Sequence, residues 1–450
     1  MKTNPDGKTP VEKETRSEKA DRVARKIMMS GSYKTLDDNK MLLVYDGRKG
    51  VYVNDNNTSV ERMCKMLLGT EWSIALEKEV IANIKHMTAT PREKFDSDED
   101  LLCCGNGLLA IASGQLLPWS PDYLFTRRID ACWDPFARSE AVDHLIGSVV
   151  DAKDCLLLKE TFGFILMPRY KWHRAIIYVG PHDGGKDTTL NTLGQMIGLD
   201  NCSNLALQEI CGERFSKALL DGKMANLRSE MPADPLRHSE DLKLLVGESR
   251  FKVEEKGLRP YMMVNKAKLI FGCNEIPPAY TADMAFYSKW IIIVFPYTFV
   301  KNHDPKIPNL REIDTDLVTK LQTTEAQSAM LNYAREGYLS LLTNDGFHYS
   351  NNDQDNKTLW LAMSGSSSYK FCGLRIIKDP DSCITKRGLW DAYVEYCKQE
   401  GTAPEQDVFF FRTVKSVFGK YAVECQITIG DDDSDERNRA WAYKGLRVSR

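Results

Sequence analysis

Apolar positions change rhythm along the chain, and each rhythm predicts an element. Residues 1–30 are polar and charged until "VARKIMM", which predicts a flexible tail that becomes a short helix. From 31 to 150 the pattern is mixed. "MLLVYDGRKGVYV" predicts a hairpin turning at Asp46-Gly47, while "SVERMCKMLLG" and "LEKEVIANIKHM" carry helical spacing. A helical stretch, "AVDHLIGSVVDAKDCLLLKETFGFILM", then leads into the β-runs "AIIYVG", "KMANL", "AKLIFGC" and "WIIIVFPYTF", which alternate with helices over 151–305. Continuous apolar strands between helices predict a mostly parallel sheet with both faces covered, an α/β core. Beyond Pro308 the pattern turns helical up to 368, where "SSSYK" predicts a loop, and 369–450 reads as a small α+β unit with an acidic loop at 430–439.

Composition narrows the class. The 450 residues suffice for several domains, and 42% are hydrophobic. A net charge of −3 means that any contact to nucleic acid rests on local basic patches. No apolar run approaches a membrane span, and the first residues lack a signal-peptide core, so a cytoplasmic protein without a membrane partner is expected. The twelve cysteines are scattered, with no C-x-x-C, and are expected to be free thiols rather than zinc ligands.

The chemistry concentrates in "IIYVGPHDGGKDTTL", residues 176–190. An apolar strand runs into the spacing G-x-x-x-x-G-K at Gly180, Gly185 and Lys186. After Lys186, the residues Leu190, Leu193, Met196 and Ile197 share one helical face. In such a strand–loop–helix, backbone N–H groups hold phosphate oxygens and the lysine adds a point charge. The plain alternative is a glycine turn with an exposed lysine. A nucleotide hydrolase also needs a carboxylate and a polar sensor at neighbouring strand ends. Glu230, after "KMANLRS", and Asn274, closing "AKLIFGCN", have the required chemistry, though each alone also reads as a turn residue.

Taken together, "GPHDGGKDTTLNTLGQMIG", "GERFSKALLDGKMANLRSEM", "LKLLVGESRFKVEEKG", "AKLIFGCNEIPP" and "AFYSKWIIIVFPYTF" resemble motifs A, B, B-prime and C, and the strand after them, of superfamily 3 helicases. These ATPases are found in phage and plasmid primase–helicases and in poxvirus NTPases. "CCGNGLLAIASGQLLPWSPDYLFTRRIDACWDPFARSEAVDHLI" is similar to the domain preceding that ATPase, and "ITKRGLWDAYVEYCKQEG" with "FFFRTVKSVF" to its winged-helix unit. The resemblance implies a P-loop AAA+-type core (151–305) between a mixed α+β amino-terminal domain (31–150) and, beyond a helical extension (306–368), a winged-helix-like domain (369–450). No primase domain is expected in the chain.

The resemblance further implies a homohexameric ring that uses ATP and Mg2+ to move 3′ to 5′ on single-stranded and forked DNA, with a separate primase or replication initiator as a partner. Carried over, Gly180, Gly184, Gly185, Lys186, Asp187, Thr188 and Thr189 bind ATP. Glu230 is the motif B carboxylate, Asn274 the sensor, and Lys289 the cation acting in trans. A B-prime hairpin with its tip near Glu254 to Gly257 brings Lys252 and Lys256 to DNA phosphates. The tail is expected to be an accessory that can be removed after residue 368.

Three positions depart from the family pattern. Asp187 stands where Ser or Thr usually binds magnesium, Glu230 follows Ser229 where two acids are common, and Lys289 stands where an arginine is expected. An acid in the first helical turn is electrostatically favourable. Thr188 is therefore expected to take the hydroxyl's part, with Asp187 and Glu230 as the other magnesium-side groups. A weakly hydrolysing ring that loads or tethers replication proteins, and a nucleotide kinase, remain as alternatives.

Overall fold

The computed structural model describes residues 14–236, 240–256, 260–279, 282–429 and 438–449. Its contacts divide the chain into two units between Ile129 and Asp130.

In the first unit, α1 (Arg16–Met29) precedes β1 (Tyr33–Leu36), β2 (Leu42–Asp46), β3 (Val51–Val53), α2 (Thr58–Leu68), α3 (Ile74–Met87) and β4 (Ala89–Thr90). Thr15 and Glu18 cap α1 reciprocally, and Ala20, Val23, Ala24 and Ile27 bury one face of it against α2, α3 and the sheet. The expected short helix thus starts already at Arg16, ahead of "VARKIMM", and packs into the core; residues 1–13 lie outside the described residues. The sheet runs β3-β2-β1-β4, and its β2–β3 hairpin pairs Asp46 with Val51 around the predicted turn. A second sheet joins β5 (Leu101–Cys104), β6 (Gly107–Ala110) and β7 (Gln115–Leu117).

The second unit begins before the core that the pattern predicted. Residues 130–150, expected in the amino-terminal domain, belong here, because α4 (Glu140–Val149) packs on α5 (Cys155–Leu166) and on the helices Leu317–Leu321 and Thr324–Asn344. Next come β8 (Ala175–Val179), α6 (Lys186–Ile197), β9 (Cys202–Ser203), α7 (Leu207–Gly212), β10 (Ala225–Arg228), α8 (Glu240–Val246), β11 (Phe251–Val253), β12 (Tyr261–Met263) and β13 (Lys268–Cys273). They are followed by α9 (Met284–Tyr287), β14 (Trp290–Val294), β15 (Thr298–Val300), β16 (Leu310–Glu312), α10 (Leu317–Leu321) and α11 (Thr324–Asn344). The central sheet is ordered β14-β8-β13-β10-β9, and all its pairs are parallel, as the apolar runs predicted. β8, β13 and most of β14 are buried.

Helix α11 crosses α5 almost backbone to backbone. A Cβ on Gly163 would lie 2.1 Å from the Tyr338 amide nitrogen, and one on Gly337 1.9 Å from the Lys159 carbonyl oxygen. The expected helical run after Pro308 opens instead with strand β16, paired parallel with β15, and helices start at Leu317.

The chain closes with α12 (Asp353–Ala362), α13 (Ser367–Arg375), β17 (Ile376–Thr385), α14 (Lys386–Gln399), α15 (Asp407–Phe418), β18 (Val423–Ile429) and β19 (Asn438–Val448). "SSSYK" is not a loop: Ser366 caps α13 by accepting from the Tyr369 amide. Leu361 of α12 shares one core with Phe371, Leu389, Tyr393 and Phe410, so no clean boundary falls at 369. Residues 430–437 of the acidic loop lie outside the described residues.

Candidate functional site

Strand β8 lies between β13 and β14, so the chain connections diverge at its carboxyl end, the usual place for a ligand crevice in a parallel sheet. The loop from Gly180 to Gly185 leaves there and enters α6. Gly180 packs so closely that a Cβ would lie 2.0 Å from the Phe295 carbonyl oxygen. Gly185 has φ of 83°, a left-handed conformation suited to glycine, and forms the N-cap of α6. The free amides of the first helical turn therefore face the crevice.

Lys186 is only 5% exposed. Its ammonium donates to Gly180 O at 2.9 Å, Pro181 O at 2.6 Å and Asn274 Oδ1 at 3.0 Å, all neutral oxygens. Burial holds its pKa below the ordinary lysine value, and nearby Asp187 only partly opposes this. A buried cation among neutral acceptors is chemically prepared for an anionic ligand.

The cleft beside it has a volume of about 290 Å³ and brings most of the expected residues together. Gly184, Gly185, Lys186, Asp187 and Thr188 line it, as do Glu230 from beyond β10 and Asn274 from beyond β13. Glu230, Asn274 and Asp187 are exposed, and Thr188 is half-buried. Gly272 lets the two strand ends approach, since a Cβ there would lie 2.4 Å from Ser229 O.

Two expected ligand residues do not line the cleft. Gly180 is turned into strand packing, and Thr189 is fully buried with its hydroxyl donating to Gly185 O at 2.8 Å. One further residue along the helix carries the side chain away from the ligand face.

Other lining residues had no signal in the sequence. Leu145, Ser148 and Val149 of α4 line a largely apolar slot together with Ile313, Leu317 and Val318; His144, Asp314 and Thr315 also border it, and Phe299 belongs to the same lining. These are ordinary amphipathic positions whose role appears only when the two segments meet.

Phosphate therefore fits the loop. For magnesium, Thr188, Asp187 and Glu230 offer oxygen atoms, as do Asp183, Ser229 and Asp314 in the same lining; no cluster of three or more metal-type side chains occurs among the described residues. That donor set suits an ion held mostly by phosphates and water.

Lys289 lies elsewhere. Its carbonyl accepts from Ala175 N at 2.7 Å, at the amino end of β8, the opposite edge of the sheet from the loop. Burial, then neighbouring Arg174 and Lys243, depress its pKa. Lys252 and Lys256 are exposed on the expected hairpin, where β11 pairs antiparallel with β12. Lys252 is bonded to Glu254 at 2.8 Å, and Arg214 holds the same carboxylate at 2.7 Å. Gly257 lies outside the described residues.

No helix among the described residues is long and apolar enough to cross a membrane. Residues 178–284 match the model of a family described as a family of unknown function (DUF5906), and residues 73–160 match one described as D5 N terminal like. No curated protein matches the chain. The chain is similar to an apo structure of the NrS-1 C-terminal region at 12% identity and a TM-score of 0.48, over 95% of this chain and 99% of that one. An A-form apo structure of the same region gives 11% identity and a TM-score of 0.47, over 94% and 98%.

Proposed function

We propose that the chain is the ATP-driven motor of a replicative DNA helicase, encoded by a phage, plasmid or virus and working as a six-membered ring on single-stranded DNA. One observation carries this reading. Three adjacent parallel strands, β8, β13 and β10, deliver Lys186, Asn274 and Glu230 from their carboxyl ends to a single cleft. That arrangement supports an AAA+-type ATPase core. The β11–β12 hairpin, which carries Lys252 and Lys256 exposed, supports a DNA-contacting B-prime element. The helix–strand–helix–helix–strand–strand order from α13 to β19 supports a winged-helix-like domain.

In this reading Lys186 exchanges its three neutral oxygens for β- and γ-phosphate oxygens, which releases the Asn274 amide toward the attacking water. Glu230, exposed at the cleft, accepts the water's proton or orients it. Magnesium, held by phosphate oxygens with Thr188, Asp187 or Glu230, would neutralise charge on the triphosphate. No arginine occurs among the described residues lining the cleft, which favours a shared site completed by a cation from a neighbouring copy. Lys289, remote from its own cleft, is the residue offered for that role.

The test is ATP hydrolysis with and without single-stranded DNA, together with particle mass with and without ATP. DNA-stimulated turnover by a hexamer is expected. A monomer under every condition would refute the ring. Turnover that depends on a small phosphate acceptor would point instead to a kinase.

A further inference from the structure

Four consecutive residues after β13 each hold a different part of the second unit. Asn274 Oδ1 accepts from Lys186 at the cleft. Glu275 Oε1 accepts from Lys370 Nζ of α13 at 2.8 Å. Ile276 N donates to Met363 O at 2.8 Å, and Gly365 N donates back to Ile276 O at 3.3 Å, forming a short parallel bridge opposite Ser364. Pro277 O accepts from Trp360 Nε1 at 3.1 Å. Ile276, Ser364 and Trp360 are fully buried.

The far side of this turn belongs to the carboxyl-terminal core. Phe371 of α13 packs on Tyr393, with ring centroids 5.5 Å apart. Ser368 donates to Glu405 at 2.9 Å and contacts Thr413 at 3.2 Å. Gly365 keeps the path open, since a Cβ there would lie 2.8 Å from Glu275 Oε2. The buried bridge fixes where the turn sits, and the Glu275–Lys370 pair acts on the residue adjoining Asn274.

We propose that Glu275 and Lys370 are a positioning pair for Asn274, through which the seating of the carboxyl-terminal helices sets the rate of nucleotide hydrolysis. This rests on reading the cleft as an ATP site. An amide that must aim at a phosphate oxygen or a water is sensitive to small displacements of its backbone, whereas ground-state affinity is held by the loop and Lys186. The effect therefore falls on kcat and spares KM.

The experiment uses the full chain with Lys370→Ala, Glu275→Gln, and the reversal Glu275→Lys with Lys370→Glu. Steady-state kcat and KM for ATP are measured beside thermal unfolding. Each single change is expected to lower kcat about two- to fivefold, the size a partly exposed ion pair can supply, with KM and melting temperature unchanged. The reversal should restore kcat. Unchanged kcat in the single variants overturns the inference, as does a loss that follows KM or melting temperature or that the reversal fails to rescue. If the unaltered protein does not hydrolyse ATP, the ATP reading itself fails; an active parent with unaffected variants sinks only the positioning pair.

Discussion

Replacing Lys186 by Met should leave the unliganded protein about as stable as before while removing its response to ATP. The ammonium is almost completely buried and bonded to three neutral oxygens. Losing it strips a donor from half-buried Gly180 O, at about 1–3 kcal/mol where water cannot reach that acceptor, whereas Pro181 is exposed and finds water. Asn274 is exposed and is served by water instead. Against this, the desolvation of a buried ammonium, several kcal/mol, is recovered, and the two sides offset to within about 2 kcal/mol.

Ligand binding separates the proteins. ATP at a hundredfold excess over Kd stabilises the parent by about 2.7 kcal/mol; if the variant binds about a hundredfold more weakly, the same ATP adds about 0.4 kcal/mol. Thermal unfolding with and without ATP and magnesium reads both effects, and turnover should fall by orders of magnitude.

The pH dependence adds an independent signature. Because the folded pKa of Lys186 is depressed, the unfolded chain binds more protons between that value and the ordinary lysine pKa. Unliganded stability therefore gains a positive contribution as pH rises through this window, and the Met variant lacks it. A variant that keeps the parent's ATP shift and turnover would refute the assignment.

Three further outcomes are expected. Thr188→Ala should lower ATPase activity sharply while Asp187→Ser preserves or raises it; the opposite pattern in a steady-state assay would make Asp187 the direct magnesium ligand. Lys252→Ala with Lys256→Ala should weaken single-strand binding alike for all sequences, and flatten its salt dependence by about one unit of slope per lost phosphate contact. Titrations at several salt concentrations check this, and an unchanged slope would remove the hairpin from the DNA path. Gly337→Ala drives a Cβ onto the Lys159 carbonyl and should cost about 3 kcal/mol or more in denaturant unfolding, whereas Gly147→Ala, with nothing within 4 Å, should be neutral or stabilising by up to about 1 kcal/mol.

Local patterns in the chain specified a good part of this. Strand runs such as Ala175–Val179 and Lys268–Cys273 are apolar without interruption because the sheet is covered on both faces, so their type and order were legible. The strand–glycine loop–helix at 175–197 was legible because glycine spacing and a following helix must be neighbours in sequence. That Thr189 lies off the cleft lining was not legible, because it depends on an adjacent helical residue pointing about 100° away from the one before it. Helix α1 was underestimated because its buried stripe holds two alanines among charges, a weak hydrophobic signal for a helix that packs fully. The slot walls at 145–149 and 313–318, and the link from 274–277 to 360–370, were invisible because each depends on segments that meet only in the folded chain.

The apolar slot has one further consequence. Its two walls lie outside residues 178–284, the stretch matched by the DUF5906 family model, which holds the phosphate loop, Glu230 and Asn274. If, on the nucleotide reading, the slot takes the base, choice of base and cleavage of phosphate are written on separate stretches of the gene. Drift at Leu145, Ser148 or Val318 could retune which nucleoside triphosphate fuels the chain, while the machinery that breaks the bond stays untouched.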